Sequence, residues 1–121
     1  MANHLYFYQL DFIIKTSLTP QFECGFGKIM EAQMNHKDGV GKCMTFYRTF
    51  AGGRDTITIT IALHSLGDMD KWRHTPEIVL EYFGKEEGAK ILQLYCDATE
   101  SWSSRIMVPY DPLKAIEMPS T

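Results

Sequence analysis

Residues 48–63, with the sequence RTFAGGRDTITITIAL, contain three Thr-Ile repeats after a Gly-Gly pair. Side chains alternate between the two faces of a β-strand, so the threonines and the isoleucines of this stretch lie on opposite faces. One row is Ile57, Ile59 and Ile61, and the other is Thr56, Thr58 and Thr60. The isoleucine row requires a hydrophobic core. The threonine row faces either water or a pocket, and a pocket there would be a candidate binding site.

The Gly52-Gly53 pair predicts a hairpin between residues 42–50 and 55–63, because glycine adopts the positive φ angles of tight turns. A two-residue turn at this pair places Phe46 opposite Ile59 on the apolar face. On the other face it pairs Thr45 with Thr60, Tyr47 with Thr58, and Thr49 with Thr56. Both strands then agree on which face is apolar, and this agreement supports the hairpin better than either alternation alone.

Upstream of the hairpin, the sequence predicts one strand and one helix. Residues 5–14 carry apolar or aromatic side chains at every even position, which indicates a strand with one buried face. Thr19-Pro20 is typical of a helix start, with Thr19 as the capping residue and proline in the first turn. A helical stripe follows, which ends before Asp38-Gly39 and consists of Phe22, Phe26, Ile29, Met30 and Met34.

Downstream of the hairpin, we expect a second helical region in two or three pieces and then a last strand. A first piece follows Ser65, a second begins at Thr75-Pro76 and ends at Gly84, and a third covers residues 86–99. In the third piece we expect one face to carry Ala89, Leu92, Tyr95, Cys96 and Thr99. The last strand is predicted at about residues 102–108.

The order of these elements is βαββαβ, which is the pattern of the ferredoxin-like fold. We therefore predict an α+β protein with a four-stranded antiparallel sheet, covered by helices on one face and bare on the other. Residues 1–113 are expected to form one domain and residues 114–121 a C-terminal tail. A bare sheet face needs a polar surface or a cover.

Composition and charge limit the partners. The 121 residues carry a formal net charge of −3, without a cluster of positive residues, which argues against a nucleic-acid or anionic-membrane partner. No apolar stretch reaches the roughly 20 residues of a membrane span, and no secretion signal is recognisable. The three cysteines are widely spaced, without a CxxC or a zinc-site spacing, so we expect reduced structural thiols in the cytoplasm. We expect no metal and no other cofactor.

The chain resembles the dimeric α+β barrel proteins, a group that includes antibiotic-biosynthesis-type and heme-degrading monooxygenases and many uncharacterised members. The resemblance covers residues 5–113 and depends on the element order, on TITITIALHSLGDMDKW (residues 56–72), and on the last strand followed by VPYDPL (residues 108–113). It implies that two copies press their bare sheet faces together and form a barrel. The threonine row would then face an enclosed space, although threonine is also simply favoured in strands.

Candidate site residues follow from this geometry. Tyr47, Thr58 and Thr60 share the polar face of the hairpin, and His64 continues that row at the end of the strand. His64 could act as a base, or it could merely bond its neighbours. Trp72 follows closely along the chain and could stack on an aromatic ligand, although aromatic residues more often belong to the core.

A second group of candidates comes from the first and fourth strands, which are neighbours in this fold. Gln9 and Asp11 are polar positions on the first strand, and Arg105 lies on the fourth. Asp11 and Arg105 are expected either to form a structural salt bridge or to anchor a polar ligand.

Together, these features predict a homodimer that binds a small aromatic or enolic molecule on its sheet face. As an enzyme it would be a cofactor-independent monooxygenase with His64 as the base. The alternatives are a non-enzymatic structural or regulatory module with a filled interior, and a heme-handling enzyme. The resemblance assigns no histidine to heme iron.

Overall fold

The computed structural model describes residues 6–71 and 74–115. Four strands and four helices follow one another in this part of the chain: β1 (Tyr6–Ile14), α1 (Thr19–Asn35), β2 (Met44–Arg48), β3 (Thr56–Leu63), α2 (Thr75–Phe83), α3 (Lys85–Ala98), β4 (Thr99–Met107) and α4 (Pro112–Ala115). Short 3-10 turns occupy Gly41–Cys43 and Leu66–Lys71. The strands form one antiparallel sheet in the order β2-β3-β1-β4. The predicted ferredoxin-like α+β fold is confirmed.

The hairpin has the register that its glycine pair predicts. Phe46 lies opposite Ile59, Thr45 opposite Thr60 and Tyr47 opposite Thr58. The backbone N–H of Thr49 donates to the carbonyl of Thr56 at 3.0 Å, although β2 itself ends at Arg48. Gly52 and Gly53 have φ angles of 87° and 101°, which only glycine adopts without strain. The local alternation and the turn together explain this part of the sheet.

The core lies between the helices and one face of the sheet. Ile59 and Ile61 of β3 and Ile14 of β1 are almost completely buried there, and the even positions of β1 pack into the same cluster. Helix α1 adds Phe22, which has no exposed surface. An aromatic group surrounds it, and its members are Phe12, Phe26 and Tyr95, with ring centroids 5.1–6.5 Å from that of Phe22. The isoleucine row therefore faces the core as expected.

Thr19 and Thr75 lie at two predicted helix starts, and neither of them caps its helix. Helix α1 begins at Thr19 and α2 at Thr75, but the residues before them occupy the N-cap positions and neither helix has a side-chain cap. The Thr19 hydroxyl donates to the Asp55 carboxylate at 3.1 Å, and the Thr75 hydroxyl accepts from Gln33 Nε2 at 2.9 Å. Each hydroxyl therefore connects distant parts of the chain instead of closing its own helix.

Helix α3 buries a face slightly different from the expected one. Its buried residues are Gly88, Ile91 and Ala98, whereas Ala89 and Cys96 are exposed. The buried face is determined by contact with α2 and α1, which pack against α3. Strand β4 also begins earlier than predicted, at Thr99, directly after α3.

Two glycines of α1 have opposite surroundings. A Cβ atom on Gly25 would lie 2.9 Å from the backbone nitrogen of Tyr95 in α3, whereas one on Gly27 would meet nothing within 4 Å. Gly25 therefore permits the close approach of α1 to α3. Gly27 carries only the cost of glycine in a helix, about 1 kcal/mol relative to alanine.

We therefore expect Gly25→Ala to lower the free energy of unfolding by about 1–3 kcal/mol, because the new methyl group pushes against backbone atoms. Gly27→Ala, two residues away, should raise it by up to about 1 kcal/mol. Urea denaturation of the two variants beside the parent protein measures both changes. Equal effects of the two substitutions would contradict the tight α1–α3 contact.

Candidate functional site

The face of the sheet opposite the helices carries a continuous polar patch. Two adjacent rungs cross all four strands, and every side chain in them is polar. The first rung is Tyr47, Thr58, Asp11 and Ser103, and the second is Thr45, Thr60, Gln9 and Arg105. We call these eight residues the polar patch. The pairing thus brings together six of the eight residues predicted from the sequence.

Hydrogen bonds connect the middle of the polar patch. Gln9 Nε2 donates to the Asp11 carboxylate at 3.1 Å, and the Thr58 hydroxyl donates to the same carboxylate from the neighbouring strand. Both donors hold the carboxylate in place at the centre of the sheet. The remaining hydroxyls and the Arg105 guanidinium surround this central group.

The expected salt bridge between Asp11 and Arg105 is not formed. Arg105 lies opposite Gln9, and the residue opposite Asp11 is Ser103. Within the described part of the chain, the Asp11 carboxylate takes its hydrogen bonds from Gln9 and Thr58 instead. The sequence correctly predicts that β1 and β4 are neighbours, but it contains no signal for the register between them.

The polar patch is open in the single chain. Tyr47 is 56% exposed, and Thr58 and Thr60 are half-buried. The rung beyond Gln9 is apolar instead, with Phe7, Ala62 and Met107 side by side. A polar patch bordered by such residues is a surface suited to contact with another surface.

The other two predicted site residues lie outside the polar patch. His64 directly follows β3 and is exposed, and its backbone N–H donates to Asp68 Oδ2 at 3.1 Å. The same oxygen accepts from the backbone N–H of Ser65, so Asp68 fixes the chain at the end of the threonine row. Trp72 lies outside the described residues.

A groove of about 390 Å³ lies on the other side of the sheet, between α1 and the edge strand β2. Its walls are almost entirely apolar: Phe26, Gly27, Met30, Met34, Phe46, Tyr47, Arg48 and Ile57. Phe26, Met30 and Met34 belong to the helical stripe predicted from the sequence, and their spacing does not distinguish a groove from the core. A helical stripe shows which face of the helix is apolar, but not how far the sheet beneath it extends.

An ion-pair cluster closes one end of this groove. Arg48 donates to both carboxylate oxygens of Asp55, at 3.1 and 2.9 Å, and lies 3.5 Å from the Glu23 carboxylate of α1. Asp55 also accepts from the Thr19 hydroxyl. The hydrogen bond from Arg48 is the main reason why the pKa of Asp55 lies below its usual value. The Arg48 charge is therefore compensated within the chain.

We expect Asp55→Asn to destabilise the protein at neutral pH by about 1 kcal/mol, a modest value because water reaches both Asp55 and Arg48 and screens their charges. The pKa of Asp55 is lowered in the folded state, so its contribution is present above the unfolded pKa near 3.8 and is lost as the pH falls through the folded value. The stability difference between parent and variant should therefore shrink below about pH 4. Ser101→Ala, at an exposed position on β4, is the control: it removes no ionisable group, so its stability difference from the parent should not change with pH.

Two further properties of the described residues concern metal ions and membranes. Residues 6–71 and 74–115 contain no cluster of three or more His, Cys, Asp or Glu side chains that could hold a metal ion. Within the same residues, no helix has the length and apolar character needed to cross a bilayer.

The element order and the sheet define a class of structure, the ferredoxin-like α+β fold, which solved structures share. No protein-family model matches the chain, and no curated protein matches it. The chain is therefore similar to known proteins in three-dimensional structure, and this similarity shows its fold.

Three solved structures illustrate this likeness. A NIPSNAP family protein from Agrobacterium tumefaciens is 14% identical, with 92% of this chain and 90% of that chain covered and a TM-score of 0.59. An uncharacterised NIPSNAP-like domain protein from Burkholderia xenovorans is 10% identical, with 98% and 92% covered and a TM-score of 0.58. A protein from Bacteroides fragilis, described as dimeric, of unknown function and with a ferredoxin-like fold, is 12% identical, with 86% and 95% covered and a TM-score of 0.51.

Proposed function

We propose that the protein is a homodimer whose two sheets face each other and bind a small aromatic or enolic molecule between them. The observation that carries this proposal is the polar patch, in which eight polar side chains fill two complete rungs of an open sheet face. The Bacteroides fragilis protein of the same fold is described as dimeric, which supports the same assembly here.

The border of the polar patch supports the contact between two copies. Phe7, Ala62 and Met107 form an apolar rung on one side, and on the other side Ile13 is the apolar residue between Thr56 and Ser101. An apolar rung that packs against a second copy excludes water, which strengthens the polar interactions beside it. The patch would then become the wall of an interior space.

The chemistry of the polar patch suits a small molecule with oxygen substituents. The hydroxyls of Tyr47, Thr58 and Thr60 both donate and accept hydrogen bonds, so they can hold phenol, enol or carbonyl groups. The Tyr47 ring offers a surface for stacking on an aromatic ligand. Arg105 supplies a positive charge for an ionised oxygen. Trp72 belongs to the proposed lining through its place in the sequence.

The reaction that the resemblance implies is oxidation of such a molecule by dioxygen without a cofactor. His64 would accept the proton that leaves the phenol or enol. The resulting anion donates electrons to O2, a C–O bond forms at the adjacent carbon, and His64 returns its proton to the outer oxygen to give a hydroperoxide. Loss of water from this hydroperoxide turns the attacked carbon, a CH2 group in the keto form of the substrate, into a carbonyl, so O2 ends as that carbonyl oxygen and one water.

Binding of 2-naphthol and acetylacetone, an aromatic and an enolic probe, tests the proposal by calorimetry, with cyclohexanol as the non-aromatic control compound. We expect both probes to bind the dimer, and Thr60→Val combined with Tyr47→Phe to weaken binding about tenfold, because hydroxyl partners are lost. Thr16→Val, an exposed threonine away from the patch, is the matched control.

Two results would contradict this proposal. Unchanged affinity in the patch variant would show that the probes bind elsewhere. A dimer that binds neither probe would favour the structural or regulatory module with a filled interior. Consumption of dioxygen with either probe, reduced in His64→Ala, tests the oxidation step separately from binding.

A further inference from the structure

The polar patch contains two charged residues, one of each sign. Asp11 lies in its first rung and Arg105 in its second, on the neighbouring strands β1 and β4. The next rung on either side adds no charged side chain to the described sheet face. The residues of those rungs are Phe7, Ala62 and Met107 at one end and Ile13, Thr56 and Ser101 at the other. The face therefore has equal positive and negative charge.

Arg105 differs from the other arginines that the structure describes. Arg48 donates to Asp55, and Arg54 donates to both carboxylate oxygens of Glu100, at 2.9 and 2.7 Å. Arg105 is exposed and forms no hydrogen bond or ion pair with any residue in the ranges 6–71 and 74–115. Its positive charge is thus balanced only by solvent in the single chain.

Asp11 also lacks a countercharge in the described part of the chain. Its carboxylate accepts from Gln9 and Thr58, and both of these donors are neutral. A carboxylate has roughly four acceptor positions, so about two remain for further donors. A guanidinium can fill both of them at once, because its N–H groups form a planar fork.

We infer that Arg105 of each chain pairs with Asp11 of the partner subunit when the two sheets face each other. The inference rests on the proposed dimer and adds which charged groups of the two copies meet inside it. A two-fold interface brings the same patch of both copies together, so one such pair implies a second, identical pair. Each copy then supplies the countercharge that the other lacks.

The geometry of facing sheets favours a pair between chains over a pair within one chain. Strand side chains stand roughly perpendicular to the sheet, so the charged ends of Arg105 and Asp11 extend toward the opposite sheet. Sheets that pack face to face lie about 10 Å apart. The long arginine side chain spans most of such a gap, and the short aspartate side chain meets it from the other sheet.

Enclosure makes this compensation necessary. A charge that leaves water without a partner opposes association, whereas a hydrogen-bonded pair of opposite charges opposes it much less. The pair also leaves donors available for a bound molecule, because the carboxylate occupies two of the five N–H groups of Arg105. A ligand oxygen beside the pair would then be held by side chains of both copies.

A mixture of two singly neutralised chains tests where the pair forms. One chain carries Asp11→Asn and the other Arg105→Gln. The mixed dimer keeps one complete pair, whereas either variant paired with itself keeps none. We expect the mixed dimer to be about tenfold tighter than either variant dimer, and to make up about nine-tenths of all dimers by native mass spectrometry, against roughly one half for random pairing.

The control mixture combines Glu87→Gln with Lys90→Gln, which make the same two charge changes at exposed positions of α3. These two chains should pair at random, because neither change touches the sheet face. The substitution Asp11→Asn keeps an acceptor oxygen for the hydrogen bonds from Gln9 and Thr58, and Arg105 is exposed. Both patch variants should therefore fold like the parent chain.

The outcomes separate this inference from the proposed function. A dimeric parent chain with an excess of the mixed dimer supports both. A dimeric parent chain whose two variants pair at random, or form no mixed dimer, overturns the ion pair between chains but leaves the sheet-face dimer. Random pairing is the result expected if Arg105 pairs within its own chain or with the bound molecule. A monomeric parent chain overturns both proposals.

Discussion

Phe22→Ala is expected to lower the free energy of unfolding by about 3–5 kcal/mol. Phe22 is completely buried, and its ring contacts those of Phe12, Phe26 and Tyr95. Removal of the ring leaves a cavity between α1, α3 and the sheet that backbone atoms cannot easily fill. Urea denaturation at a fixed protein concentration measures the loss.

Phe50→Ala is the matched control for this experiment. Phe50 is fully exposed beside the hairpin turn, so the same substitution there should change the stability by less than about 0.5 kcal/mol. A loss below about 1 kcal/mol for Phe22→Ala would show that Phe22 is not at the centre of the core.

Thr60→Glu is expected to weaken the dimer at least a hundredfold, or by about 2.8 kcal/mol. Thr60 lies in the second rung of the polar patch, and the substitution would place one carboxylate from each copy in the same enclosed space. Like charges that are shielded from water repel strongly. Sedimentation at several concentrations measures the dissociation constant.

The fold of the single chain should tolerate this substitution, because Thr60 is only half-buried in the absence of a partner. The far-ultraviolet circular dichroism of Thr60→Glu should therefore match that of the parent protein. Thr16→Glu, at an exposed position outside the sheet face, is the control and should leave the dimer intact. An unchanged dimer in Thr60→Glu would show that the polar patch is not at the interface.

The hairpin was the most predictable element, for a physical reason. The strict Thr-Ile alternation assigns each residue of β3 to a face, and Gly52-Gly53 determines the register with β2. The register of β4 against β1 has no comparable signal. No short turn joins these strands, and the pairing shifts between Ile13 and Ile14. Because the register of β4 could not be predicted, the expected salt bridge between Asp11 and Arg105 was wrong: Arg105 lies opposite Gln9.

The sequence predicts the helix starts within one residue. It does not predict the hydrogen bonds that Thr19 and Thr75 form at those starts. Their hydroxyls bond to Asp55 and Gln33, which are 36 and 42 residues away along the chain. A local pattern identifies where a helix begins, but it contains no information on a distant partner. The tertiary contacts override the usual capping role.

The candidate site was predictable where it depends on strand alternation. Tyr47, Thr58 and Thr60 share one face because they alternate with apolar residues, and their rungs extend to Gln9, Asp11 and Arg105. The groove was missed because its position depends on the width of the sheet relative to α1. That width is a tertiary property, which the helical spacing of Phe26, Met30 and Met34 does not determine.

Solution mass, by light scattering or sedimentation at micromolar concentration, tests most directly whether a second copy covers the polar patch. We predict about twice the 13.9 kDa of one chain. A mass of 13.9 kDa at every concentration, with the hydroxyls of Thr58 and Thr60 open to water, would contradict the dimer and the binding site that depends on it.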